Sequence, residues 1–211
     1  MKSVSALSLY EKHYADSQFE RAGLFKKIRK LYGCTYVLYP GSYVHITPSF
    51  FFPHVVYVDR SPVVARFFAD AEGVLNCVRK NQTYERPPFI RFIARDFSKA
   101  LPLQSERFDL LIALHTGGIA RACSRYVRSG GLLLTNNRQR EAWDSASDNG
   151  FTLVCILEYR KNDYLPIREN LADWPARIQK STAHRNSMRR TTVGFLYKEN
   201  DEYFVFEKKQ Y

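Results

Sequence analysis

The chain has 211 residues, 45% of them hydrophobic and 15% aromatic, which is enough for a substantial core and too apolar for a disordered tail. Thirty-two Lys and Arg against 21 Asp and Glu give a net charge of +11, a balance that favours acidic partners such as nucleic acid or a nucleotide. The four cysteines are widely separated and form no CxxC pair, and no apolar run is long enough to cross a bilayer. The cysteine spacing argues against a disulfide scaffold or a compact zinc site and suits a reducing cytoplasm, and neither a metal nor a membrane partner is expected.

The first stretch turns charged after Leu9, unlike a secretory signal, and carries the scattered aromatics Tyr10 and Tyr14. From Phe19 onward, Leu24, Ile28 and Leu31 mark one face of an amphipathic helix that Gly33 stops. Residues 1–34 thus read as a helical segment packing on the core. Thr35–Tyr39 is a β-branched and aromatic run closed by Pro40-Gly41, and His54–Val58 is a second strand ending at Asp59. Ser61-Pro62 is an N-cap followed by proline at the first helical position, and Val64, Phe67, Phe68 and Ala71 continue with helical spacing.

The alternation then repeats. Phe89–Ala94 and Phe108–Leu114 read as strands, and Ile119, Ala122, Cys123 and Tyr126 mark a helix. Leu132–Thr135 is a buried strand, a helix follows over about 138–149, and Phe151–Glu158 is another strand. Strands alternating with helices predict a three-layer αβα sandwich around a mostly parallel sheet. Residues 160–190 form a polar, basic insertion, and Thr192–Tyr197 with Tyr203–Phe206 reads as an antiparallel hairpin at the C-terminus. Residues 35–211 are therefore expected to make one domain.

In such a sheet ligands bind beyond the carboxyl ends of the strands. Gly41 permits a tight turn there, although Tyr43 and His45 stand where a glycine-rich loop would place further glycines. Asp59 lies 18 residues on, at a strand tip, where its two oxygens can accept both hydroxyls of a ribose; a first-turn acid before Ser61-Pro62 is the competing reading. Asp96 could accept an adenine amino group with Phe97 packing on the ring, or be a solvated loop aspartate.

The ordered set VLYPGSY (37–43), VVYVD (55–59), ARDF (94–97), FDLLIALHTG (108–117) and SGGLLLTNN (129–137) resembles the class I S-adenosylmethionine-dependent methyltransferases. The resemblance implies a Rossmann-like fold with a seven-stranded sheet whose last strand is antiparallel. It implies S-adenosylmethionine as cofactor, with Tyr39, Gly41 and Ser42 facing its methionine part, Asp59 on the ribose hydroxyls, and Asp96 with Phe97 at the adenine. Leu114, His115 and Thr116 would line the wall beside the transferred methyl group. The sequence departs from the family pattern in keeping one glycine in the loop.

Methyl transfer needs orientation of the reactants and, for a weak acceptor, removal of a proton. His115 is the candidate base, with a histidine satisfying strand-end backbone groups as the alternative. No Asn-Pro-Pro-Tyr segment and no Pro-Cys nucleophile is present, which disfavours DNA base methylation. Three cationic clusters without acids, Arg21–Lys30, Arg121–Arg140 and Arg177–Arg190, hold 15 of the 32 basic residues. Arg177, Lys180, Arg185, Arg189 and Arg190 lie in the insertion that in the resembling family covers the acceptor, so they are candidate substrate-binding residues, with RNA favoured over DNA. Solvated surface charge is the competing reading of these clusters. The sequence points to a methyltransferase acting on an acidic or nucleotide-like acceptor. Two alternatives remain: a non-catalytic relative that binds nucleic acid or a protein, and, more remotely, a nicotinamide-dependent oxidoreductase, which would need the additional loop glycines.

Overall fold

A computed structural model describes residues 7–18, 20–114, 116–136, 142, 145, 150–174, 190–191, 194–195 and 202–210. Its centre is an eight-stranded sheet built from β1 (Tyr36–Pro40), β2 (His54–Asp59), β3 (Phe89–Ala94), β4 (Phe108–Ala113), β5 (Val127–Thr135), β6 (Phe151–Arg160), β7 (Asp163–Ile167) and β10 (Tyr203–Lys208). The spatial order is β3-β2-β1-β4-β5-β10-β6-β7. Strands β3 to β5 pair in parallel, whereas β10 is antiparallel to both β5 and β6, and β7 is antiparallel to β6. The mostly parallel sandwich and its antiparallel C-terminal part match the expectation.

Two details differ from it. The eighth strand is β7, within the stretch read as a polar insertion, and a two-residue loop with φ of +50° at Lys161 and +62° at Asn162 joins it to β6. Positive φ at both loop residues matches the right-handed twist of the hairpin arms. Pro166 is tolerated because β7 is an edge strand and needs no outward donor. The second difference is the partner of β10. Of the expected Thr192–Tyr197 arm only Gly194–Phe195 (β9) is described, and it pairs with Arg190–Thr191 (β8) in a separate ladder, while β10 slots between β5 and β6.

The layers follow from side-chain alternation. Val37, Tyr39, Val55 and Tyr57 face one core with α2 (Ala22–Tyr32), α3 (Pro48–Phe51), α4 (Pro62–Ala69) and α5 (Ala71–Asn81), whereas Leu38, Val56, Val58 and Leu111 face the other with α6 (Ile119–Cys123). Gly33, at φ +66°, ends α2 by donating its N–H to the Arg29 carbonyl at 3.0 Å. Ser61 and Asp70 cap α4 and α5 through the N–H groups of Val63 and Gly73. The expected 138–149 helix lies largely outside the described residues; Ala142 and Ser145 are helical and buried. The short α1 (Leu7–Tyr10) and the π-type turn Glu11–Ala15 lay Tyr10 and Tyr14 against the first core.

Asp109 fastens the bottom of the sheet. One carboxylate oxygen accepts the N–H groups of Thr35 and Tyr36, both at 2.9 Å, and the other accepts Arg128 Nε at 2.8 Å. Burial pushes its pKa upward, but the two N–H donors and the guanidinium prevail and hold it below the usual carboxylate value. The four cysteines are free thiols. Among the described residues no helix is long and apolar enough to cross a membrane, and no three metal-ligating side chains are grouped.

Candidate functional site at the carboxyl ends of the strands

The tip of β1 turns at Gly41, whose φ of +62° favours glycine and whose N–H bonds the Val58 carbonyl at 2.8 Å, tying the β1 and β2 tips together. The loop next places Tyr43 at φ +48°, in the left-handed region disfavoured for a residue with a Cβ. Asp59 holds it there. Its Oδ2 accepts the Tyr43 N–H at 3.0 Å and its Oδ1 accepts the Ser61 N–H at 2.8 Å. Each oxygen of this half-buried carboxylate keeps one acceptor direction, which is the chemistry a vicinal diol needs. The Tyr43 ring turns toward the N-terminal turn and rests edge-on against His13, with centroids 5.4 Å apart.

Beyond β3, Asp96 accepts the Ser98 N–H at 2.9 Å and faces Arg60 at 3.4 Å. The hydrogen bonds from Ser98, with Arg60 adding to them, hold its carboxyl below the usual value. Arg60, missed in the sequence, directly follows Asp59, and that adjacency was the only available signal. Phe97 is half-buried on the second core. An added Cβ on Gly41 would meet Thr116 Oγ1 at 2.7 Å and Phe97 Cε1 at 3.9 Å, so the tips of β1, β3 and β4 converge on this glycine.

The structure therefore brings Gly41, Asp59, Asp96, Phe97 and Thr116 to one edge. Tyr39, Ser42 and Leu114 stand at the same edge but their side chains are fully buried. Ser42 Oγ donates to the Tyr43 carbonyl at 3.1 Å, and Tyr39 Oη bonds His45 Nδ1 at 3.0 Å. Because His45 Nε2 meets the Glu20 carbonyl at 3.0 Å, and a carbonyl only accepts, Nε2 carries the proton and Nδ1 accepts from Tyr39. Burial and then the Arg21 charge push the His45 pKa down to about 3, so the imidazole is neutral. Tyr14 stacks on it at 4.3 Å. The position that would be the loop's third glycine is thus a fastening point for the N-terminal segment.

His115 lies outside the described residues, as do Arg177, Lys180, Arg185 and Arg189; Arg190 opens β8. Much of the first basic cluster serves the fold. Buried Arg21 donates to Tyr203 Oη at 2.7 Å, Lys27 pairs with Asp163 at 2.7 Å, and Arg29 donates to the Gly33 carbonyl at 2.8 Å.

The residues fit the nucleoside end of S-adenosylmethionine, with an acceptor pair at Asp59 and an acidic and aromatic flank at Asp96 and Phe97. At Gly41 the fit is narrower, since Thr116 already stands against the glycine.

No protein-family model matches the sequence, and no curated protein matches it. Similar solved structures include a geranyl diphosphate methyltransferase in complex with SAM (TM-score 0.52, 11% identity, covering 93% of this chain and 85% of that one). A methyltransferase from Geobacter sulfurreducens is similar at TM-score 0.50 and 10% identity, covering 100% of this chain and 91% of that one. The [4+2]-cyclase SpnF is similar at TM-score 0.52 and 13% identity, covering 90% and 81%. At these identities the likeness is one of fold. The chain has the fold of the class I S-adenosylmethionine-dependent methyltransferases.

Proposed function

We propose that this protein is an S-adenosylmethionine-dependent methyltransferase. The observation that carries the reading is Asp59, an acceptor pair at the tip of β2 beside the tight Gly41 turn, in a fold shared with a methyltransferase solved in complex with SAM. Asp59 would take the two ribose hydroxyls, Asp96 the base amino group, and Phe97 the base face. The cofactor supplies a methyl group on a positively charged sulfur, and what remains for the chain is to orient the acceptor and to remove its proton. We assign the proton to His115. We assign an acidic acceptor, RNA in preference to DNA, to Arg177, Lys180, Arg185, Arg189 and Arg190, and place the protein in the cytoplasm.

One observation favours a second reading. Thr116 Oγ1 would lie 2.7 Å from a Cβ on Gly41, so the turn is already covered on that side. A non-catalytic relative that binds nucleic acid or a protein would tolerate such closure. Calorimetric titration with S-adenosylmethionine and S-adenosylhomocysteine separates the two. Micromolar binding, with methyl transfer to RNA from labelled cofactor, is the expected result; no heat at millimolar ligand overturns the first reading in favour of the second.

A further inference from the structure

The connection from β3 to β4 contains no helix. Residues 95–107 cross as turns, with Phe97, Leu101 and Leu103 pressed on the second core and the Leu101 N–H bonded to Tyr126 Oη at 2.8 Å. This strap buries Ile93, toward the end of β3, and leaves the first half of the same strand face open. Phe89 and Arg91, which share that face with Ile93, are both exposed, Phe89 at 48%.

Phe89 is the end of a ring stack. The first residues of three neighbouring strands are in register, Tyr36 with His54 and His54 with Phe89. Their ring centroids are 4.6 Å and 4.1 Å apart; Tyr36 and His54 are tilted at 46°, whereas His54 and Phe89 stack nearly parallel at 20°. The Arg107 guanidinium caps the far end, 4.1 Å from the Tyr36 centroid. At the near end β3 is the sheet edge, so among the described residues no strand supplies the next ring.

Arg86, Arg91 and Arg107 around this stack are exposed and have no carboxylate partner among the described residues. The neighbouring acids are mostly engaged. Asp109 is paired with Arg128 and Glu106 with Lys208, leaving Glu85 as the exposed carboxylate beside Arg86.

We propose that this face docks a single-stranded nucleic acid, with one unpaired base stacking on Phe89 as the next ring of the Tyr36–His54–Phe89 column and with flanking phosphates on Arg86, Arg91 and Arg107. A flat, half-exposed ring among guanidiniums that no carboxylate among the described residues neutralises matches the two things such a strand presents, a π-face and phosphate charge. An acidic peptide would use the charge and leave the ring without a role. The face lies at the opposite end of β3 from Asp96, roughly 17 Å along the strand. It does not rest on the methyl-transfer reading, and its test needs no cofactor.

The test is fluorescence anisotropy of the full chain with a labelled 12-nucleotide oligouridylate. Phe89→Ala weakens binding by about tenfold or more, Phe89→Trp retains it, and both stay folded, Phe89→Ala losing only a few degrees of melting temperature with its contact to His54. Arg91→Ala with Arg107→Ala lowers the log–log salt slope by about 1.4. Three results would overturn the proposal. They are no binding by the wild type, a Phe89→Ala variant within twofold of it, or equal displacement by polyglutamate of the same charge. Loss of binding only when the five basic residues of the 177–190 segment are neutralised, with Phe89→Ala unaffected, would likewise move the docking site there.

Discussion

Replacing Asp59 by alanine separates a structural role from a binding role in one variant. The carboxylate holds two backbone N–H groups, Tyr43 at 3.0 Å and Ser61 at 2.8 Å, and both lose a charged acceptor. Hydrogen bonds to charged groups contribute about 1.5–3 kcal/mol each, and because the site is half-buried water recovers part of that. The expected cost is about 2–4 kcal/mol. For a chain of this size it lowers the melting temperature by roughly 5–15 °C. The same deletion removes both acceptors for a ribose diol, so the dissociation constant for S-adenosylhomocysteine rises by about 100-fold or more. Differential scanning fluorimetry without ligand reads the first effect, and calorimetry below the lowered transition reads the second. A destabilised variant that still binds within a few-fold of wild type refutes the ribose assignment. An unchanged melting temperature refutes the loop-holding role of the carboxylate.

Gly41→Ala introduces a Cβ 2.7 Å from Thr116 Oγ1 at a φ of +62°, so it destabilises by about 1–3 kcal/mol in urea unfolding, and Thr116→Gly in the same chain recovers part of the loss. His45, held down to about 3 against about 6.5 in the unfolded chain, binds its proton less readily when folded. Stability therefore falls as pH drops from about 6.5 toward 3, by at most about 1.4 kcal/mol per unit from this group, and His45→Gln flattens that limb of the stability–pH curve. Asp109 acts in a lower window. Its depressed pKa contributes stability above the unfolded value of about 3.9 that is lost as pH falls through the folded value. Asp109→Asn turns an amide donor toward Arg128 or the Thr35 and Tyr36 N–H groups, costs about 1–3 kcal/mol at pH 7 by urea unfolding, and removes that acid limb.

The strands most legible in the sequence are those that packing makes monotonous. Val55–Val58 and Leu110–Ala113 are buried on both faces, and their apolar runs say so. Strand β7 was harder to see because an edge strand need not be apolar throughout and can hold a proline; the Lys161-Asn162 turn was the better cue. The place of Asp59 at the tip of β2 was readable from the strand pattern. The approach of Thr116 to Gly41 was not, since 75 residues separate them and the contact exists only once β1 and β4 lie side by side. Likewise His45 read as a misplaced loop residue, because nothing local shows that Tyr14, Tyr39 and the Glu20 carbonyl enclose it.

The position of β10 constrains how the chain assembles. The N–H and C=O groups that β5 and β6 turn toward each other find their partners among the described residues in 203–208, which leave the ribosome after the other seven strands of this sheet. Until then two apolar strands carry open ladders, a state prone to cross-pairing between nascent chains. Translation speed and chaperone occupancy while residues 203–208 are awaited accordingly govern soluble yield more strongly than changes anywhere in the parallel half.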